Sequence, residues 1–153
     1  MKKKLLSVCM ALSLGAGAGY ATTVLAQAKP EVLVKQRQAA MTLIGKYFGP
    51  LGAMAQGKAP YDAAVAARNS GFLDALSKMP WDGFNASTKD TSEKTRALPA
   101  IYENEAKFKE AQDRFTGTVT KMVAASKDET AFKAAAGEVA KACGACHNDF
   151  RAK

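Results

Sequence analysis

The chain has 153 residues, 22 Lys+Arg against 14 Asp+Glu, a formal net charge of +8, three cysteines and one histidine. This length suits a single domain that buries a proper core once a leader is removed. The basic residues are scattered and the aromatic residues fall at core positions, which argues against a nucleic-acid surface.

Residues 1–26 read as a cleaved signal peptide. Lys2, Lys3 and Lys4 form a basic n-region, Leu5 to Leu14 an apolar h-region, and Ala26-Gln27-Ala28 an A-x-A-like end. Cleavage after Ala26, with Val24 at the −3 position, is preferred to cleavage after Ala28. The apolar run is too short and too glycine-rich for a membrane span, so the protein is not expected to cross the bilayer. Cys9 follows Val8 rather than a small residue and belongs with the discarded segment. Residues 27–153 then form the exported domain, with 19 basic and 14 acidic residues and a net charge near +5. Export in a bacterium places it in the periplasm. A basic rim can orient an acidic redox partner or an anionic membrane surface, while solubility explains the same excess.

Pro30 suits a first helical position, with Glu31 beside the positive end of the helix dipole. Leu33, Arg37, Met41, Ile44 and Phe48 follow at steps of three and four and mark one helical face. Gly49-Pro50 predicts a kink, after which the helix continues through Leu51 and Met54 towards Gly57. A turn over Gly57 to Pro60 leads to a second helix with Val65, Arg68, Phe72, Leu76 and Met79 on one face, ended by Pro80. Trp81 to Arg96 is one long loop, of a length that usually carries function or disorder. Pro99 restarts order, and Ile101, Phe108, Phe115 and Met122 recur every seven residues. Ser126-Lys127-Asp128-Glu129 has the pattern of a capping box, with a helix starting just after it. Phe132, Val139, Cys143, Cys146 and Phe150 line one face of that last helix. The pattern is all-α: an antiparallel four-helix bundle of helices about 30 Å long.

Cys143-Gly144-Ala145-Cys146-His147 is the attachment signature of a covalent c-type haem. Thiols at i and i+3 share a helical face, so both can form thioethers with one porphyrin, and His147 sits where its imidazole can bind the iron. Gly144 and Ala145 put nothing bulky between thiols and ring. A zinc site fails, because Cys9 is the only other cysteine and His147 the only histidine. A thioredoxin-like redox pair would need a βαβ setting that the pattern lacks.

Residues 27–153 as a whole resemble cytochrome c prime, the class II c-type cytochromes, whose haem motif lies near the C-terminus of a four-helix bundle. The resemblance is carried by Lys29-Pro30, Arg37-Gln38, Gly57 to Asp62, Leu76 through Pro80-Trp81 to Phe84, Ala97 to Tyr102, and Cys143 to Arg151. It implies one haem c held by Cys143 and Cys146, with His147 as proximal ligand. It further implies that Arg37 pairs with a haem propionate, with Gln38 a weaker polar contact beside it. By the same resemblance Arg151 lies over the proximal pocket and Thr95 touches the haem edge. As bare charges, Arg37 also reads as a solvated helix cation and Arg151 as an exposed one favoured by the dipole.

Met41 matches the position facing the distal side of the iron. An apolar or aromatic residue there typically blocks the sixth site without ligating, whereas in low-spin relatives a methionine there binds the iron. Arg37 and the Pro80-Trp81…Phe84 segment favour the non-ligating branch; Met54, Met79 and Met122 read as core.

The reading that follows is a five-coordinate, high-spin haem protein that binds NO and CO and is capable of electron transfer. The alternative is a six-coordinate, low-spin electron carrier with His147/Met41 ligation. An enzyme ranks last, because peroxidase chemistry needs a distal acid–base group and there is no second histidine. Glu105 reads as a polar bundle position. Homodimers packed through the first two helices are common in the family.

Overall fold

A computed structural model of the protein describes residues 28–153. The expectations for the signal peptide, including Lys2 to Lys4, Cys9 and cleavage after Ala26, lie outside the described residues. Within them run five α-helices and two short 3₁₀ turns: α1 (Pro30–Ala55), α2 (Ala63–Leu76), α3 (Ala100–Glu103), α4 (Glu105–Ala125) and α5 (Glu129–Phe150).

Pro30 opens α1, where its missing N–H is one the helix would leave unpaired anyway. Pro50 sits inside the same helix without ending it. The carbonyl it fails to serve belongs to exposed Lys46, where water can take the bond. After Gln56 the chain reverses at Gly57, whose φ of +70° lies in the left-handed region that glycine enters without strain. Asp62 caps α2 by accepting from the Val65 N–H at 3.0 Å.

α1 packs on α2 and α5, and α4 packs on α5 and α2, closing a square antiparallel bundle in which α3 and α4 make up the third side. The break at Asn104 (φ −129°, ψ 54°) does not disturb the heptad read from the sequence. Ile101, Phe108, Phe115 and Met122 are all buried. The main core gathers Leu51, Leu73, Val119, Met122, Phe132 and Val139 between the four sides. A smaller cluster of Ile101, Phe108 and Phe150 lies at one end under Trp81 and Phe84. At the other end the Tyr61 hydroxyl donates to the Ser126 carbonyl at 2.8 Å, tying the two turns together.

Two local expectations are corrected. α2 stops at Leu76, and Phe72 and Met79 are 45% and 59% exposed rather than core. The buried stripe is Ala66, Asn69, Ser70, Leu73 and Leu76, whose small members let α1 come close. The capping box does not form: Ser126 still ends α4, and Asp128 caps α5 by accepting from the Ala131 N–H at 2.7 Å. The long connection is ordered, with 3₁₀ turns at Trp81–Phe84 and Ala86–Thr88.

Ser70 is wholly buried, and its hydroxyl has no hydrogen-bond partner. Removing an unsatisfied polar atom from a packed helix contact stabilises, so Ser70→Ala is expected to gain about 1 kcal/mol in urea unfolding. A loss of stability would show that the hydroxyl has a partner.

Candidate haem site

A cavity of about 560 Å³ opens between α1, α5, the connection after α2 and the start of α4. That is within the roughly 300–1,000 Å³ span of small-molecule and cofactor pockets. Its walls are largely apolar, with Ile44, Phe48, Trp81, Phe108 and Phe115 among them. All eight residues singled out from the sequence line it: Arg37, Gln38 and Met41 from α1, Thr95 from the connection, Cys143, Cys146 and His147 from α5, and Arg151 just beyond. Glu105 begins α4, is exposed and does not line it.

Arg37 is 3% exposed, so it is not the solvated helix cation that its charge alone permits. One Nη1 donates to the Gly83 carbonyl, to Thr88 Oγ1 at 3.2 Å and, at the limit of reach, to Tyr102 Oη at 3.5 Å. Nη2 donates to Thr95 Oγ1 at 3.0 Å, and the guanidinium carbon sits 4.4 Å from the centre of the Phe84 ring. Every partner is neutral. A buried cation with no carboxylate is a costly arrangement that an anionic group in the cavity would relieve. Thr95 Oγ1 accepts from Arg37 and from the Ala97 N–H at 3.1 Å, which leaves its own proton free to donate. Gln38 is engaged elsewhere, its Nε2 donating to the Lys94 carbonyl at 2.9 Å.

On the opposite wall, burial pushes the Cys143 thiol up to about 11, with Cys146 adding to the effect, and burial raises Cys146 as well. Both sulfurs therefore face the cavity as neutral thiols, in one helical row. Burial, then the charges of Arg151 and Arg96, lower His147 below the ordinary imidazole value. Its neutral form, the one that binds a metal, is favoured. Two thiols and an imidazole on one wall, an unneutralised guanidinium on another and apolar sides between them fit a covalent haem.

The family model described as cytochrome c′ matches residues 32–151. The chain belongs to the cytochrome c prime family. It is 46% identical to cytochrome c′ of Rubrivivax gelatinosus over 127 residues, covering 82% of this chain and 98% of the relative. The crystal structure of that protein superposes with a TM-score of 0.77 over 80% of this chain and 97% of its own. A nitric oxide complex of a cytochrome c prime variant from Alcaligenes xylosoxidans, 40% identical, superposes with a TM-score of 0.75 over 83% and 98%. As in cytochrome c prime generally, the fold is a four-helix bundle and the cofactor is haem c, bound covalently.

The sequence assigns no site role to several residues that build this cytochrome c prime site. Thr88 and Tyr102, joined at 3.0 Å between hydroxyls, orient Arg37 across gaps of 51 and 65 residues. Arg96 lines the cavity beside Arg151. Gly83 lets the connection lie directly on α1, since a Cβ there would stand 2.7 Å from Arg37 Cβ and 2.8 Å from the Leu33 carbonyl oxygen.

Gly83→Ala is therefore expected to destabilise by about 2 kcal/mol through overpacking and to loosen Arg37. Gly117→Ala, on α4 with nothing within 4 Å, should instead gain up to about 1 kcal/mol. Urea unfolding of the pair checks both signs, and equal effects would show that the contact at Gly83 is not tight.

Proposed function

We propose that the protein is a periplasmic c-type haem protein with a five-coordinate iron, open to NO and CO and able to pass electrons. The observation that carries this reading is the cavity itself. It sets the chain's single histidine, on α5, across from an apolar stretch of α1 that includes Met41, Ile44 and Phe48. Haem, when bound, supplies an iron that takes up diatomic gases and changes oxidation state.

The chain's own residues set what that iron meets. Cys143 and Cys146 would anchor the ring and neutral His147 would hold the iron. Arg37 would pair with a carboxylate of the ring from within the protein, with the Thr95 hydroxyl beside it free to donate. Gln38 braces the connection through the Lys94 carbonyl. Met41 is half-buried and packed against the main core, which supports a role as a distal filler that blocks without ligating. That wall carries no second imidazole, and its Gln38 amide and Thr42 hydroxyl already donate to the Lys94 and Gln38 carbonyls. This leaves little to hold bound polarised O₂ and no histidine for peroxide cleavage. The reading is of a binding and electron-transfer protein rather than a catalyst. The nitric oxide complex of the Alcaligenes xylosoxidans relative supports NO as a ligand.

The location follows from the leader-like residues 1–26, and no helix among the described residues is long and apolar enough to cross a membrane. A homodimer completes the proposal. Val32 and Leu43 are 43% and 40% exposed, eleven residues apart on one side of α1, and the ring of Phe72 of α2 packs at a tilt against Tyr47 of α1, centres 4.8 Å apart. A second copy packed through α1 and α2 would cover this stripe.

Absorption spectra of the ferric and ferrous protein, with and without CO, test the coordination. A high-spin ferrous spectrum with ready CO binding is expected. A low-spin spectrum that Met41→Ala turns high-spin would instead assign His147/Met41 ligation. If Met41→Ala stays low-spin, another residue is the ligand. For the dimer, Phe72→Glu should halve the sedimenting mass with unchanged haem bands; a wild-type monomer would end that part of the proposal.

A further inference from the structure

Cations that are scattered along the sequence converge at the mouth of the cavity. Arg96 and Arg151 both line it, and Lys94 stands one residue before the lining Thr95; all three are exposed. The two arginines come off a small backbone bracket in which Ala97 and Arg151 form an antiparallel bridge. The Leu98 N–H donates to the Phe150 carbonyl at 3.0 Å and the Ala152 N–H to the Arg96 carbonyl at 2.7 Å. Arg96 Nε donates to the Ala152 carbonyl at 3.0 Å. The bracket thus holds two guanidinium-bearing residues, 55 positions apart, at one rim.

The nearest acidic residues in sequence are already taken. Glu93 is paired with Lys35 at 2.8 Å and Asp149 with Lys107 at 3.1 Å. The other ion pairs of the described residues, such as Lys133–Glu129 and Lys141–Glu138, likewise leave Lys94, Arg96 and Arg151 without a carboxylate. A concentrated, unneutralised positive rim beside a low-dielectric opening attracts anions and steers their approach. None of the exposed large apolar side chains, Val32, Leu43, Phe72 and Met79, lines this opening, so it lacks the apolar wedge of an interfacial membrane site.

We propose that this rim is the electron-exchange face of the protein and docks a protein partner that presents a carboxylate-rich patch. The inference rests on the haem reading above and adds to it the side from which electrons pass. Charge complementarity of this kind raises the encounter rate and fixes orientation more than it adds affinity.

The test is stopped-flow oxidation of the reduced holoprotein at about 10 mM ionic strength, where charges act over roughly 30 Å. With ferricyanide, a trianion, Lys94→Glu and Arg96→Glu should each slow the reaction about three- to tenfold, an effect that salt abolishes. With a tripositive cobalt phenanthroline oxidant the same variants should speed it. Lys127→Glu, before α5 and so about 30 Å along the helix from the rim, should do much less. Poly-L-glutamate should slow the wild-type reaction where free glutamate at equal carboxylate concentration does not. Equal inhibition by both would make the rim a single-anion site. Stronger inhibition by phosphatidylglycerol vesicles than by poly-L-glutamate would make it a membrane surface. Rate changes of one sign with both oxidants would make Arg96 a neutraliser of the haem carboxylates. Each of these results overturns the proposal, as does an unchanged rate in both variants. Haem bands recorded beforehand keep the two readings apart, because a wild-type protein without them sinks the haem assignment instead.

Discussion

The guanidinium of Arg37 sits inside the protein with no carboxylate to meet it, and much of the site is arranged around that fact. Removing such a charge from water costs several kcal/mol even after relaxation, so its surroundings must return that energy through hydrogen bonds and ring contact. Gly83 and Thr88 accept one arm and Thr95 the other, while Phe84 lies against its carbon. Those partners all belong to the connection between α2 and α3. One side chain of α1 therefore orders a segment that has no long helix of its own. The same segment then closes the end of the bundle over Phe108 and Phe150, with Phe84 and Phe108 centred 5.1 Å apart. The connection keeps its place on the cavity because a charge and an aromatic cluster both hold it, meeting at Phe84.

The walls divide the labour by polarity. α5 contributes the sulfurs and the imidazole from one helical row, in a setting apolar enough to keep the thiols protonated and the imidazole neutral. α1 contributes a cation at one end of the cavity and a mostly apolar run further along, Met41, Ile44 and Phe48, with the Thr42 hydroxyl turned to the Gln38 carbonyl. Such a pocket suits a large, mostly apolar ring with a charged edge.

What the sequence revealed follows from how local each signal is. Cys143 to His147 was legible because its chemistry is contiguous, and the heptad running from Ile101 into α4 because a large apolar residue returns every seven positions. Arg37, Gln38, Met41, Thr95 and Arg151 were reached through family resemblance, and the structure gathers all of them around one cavity. Gly83 and Tyr102 act across 46 and 65 residues, so no window of sequence holds both partners. On α2, period alone could not choose between two adjacent stripes. The larger side chains of Val65 and Phe72 outvoted Ala66 and Ser70, although the small residues allow the closer helix contact. The capping-box pattern pointed to Ser126, but the last turn of α4 claims that residue and Asp128 caps α5 instead.

The bracket between Ala97 and Arg151 leaves Lys153 only two residues beyond the rim, about 7 Å of extended chain. Any residues appended there emerge beside the cofactor's opening. A linker attached at that point would present the cavity's opening to whatever surface it is grafted on, electrode or fused domain alike. The far turns, clasped by Tyr61 and Ser126, offer the opposite mounting, with the opening facing freely into solution.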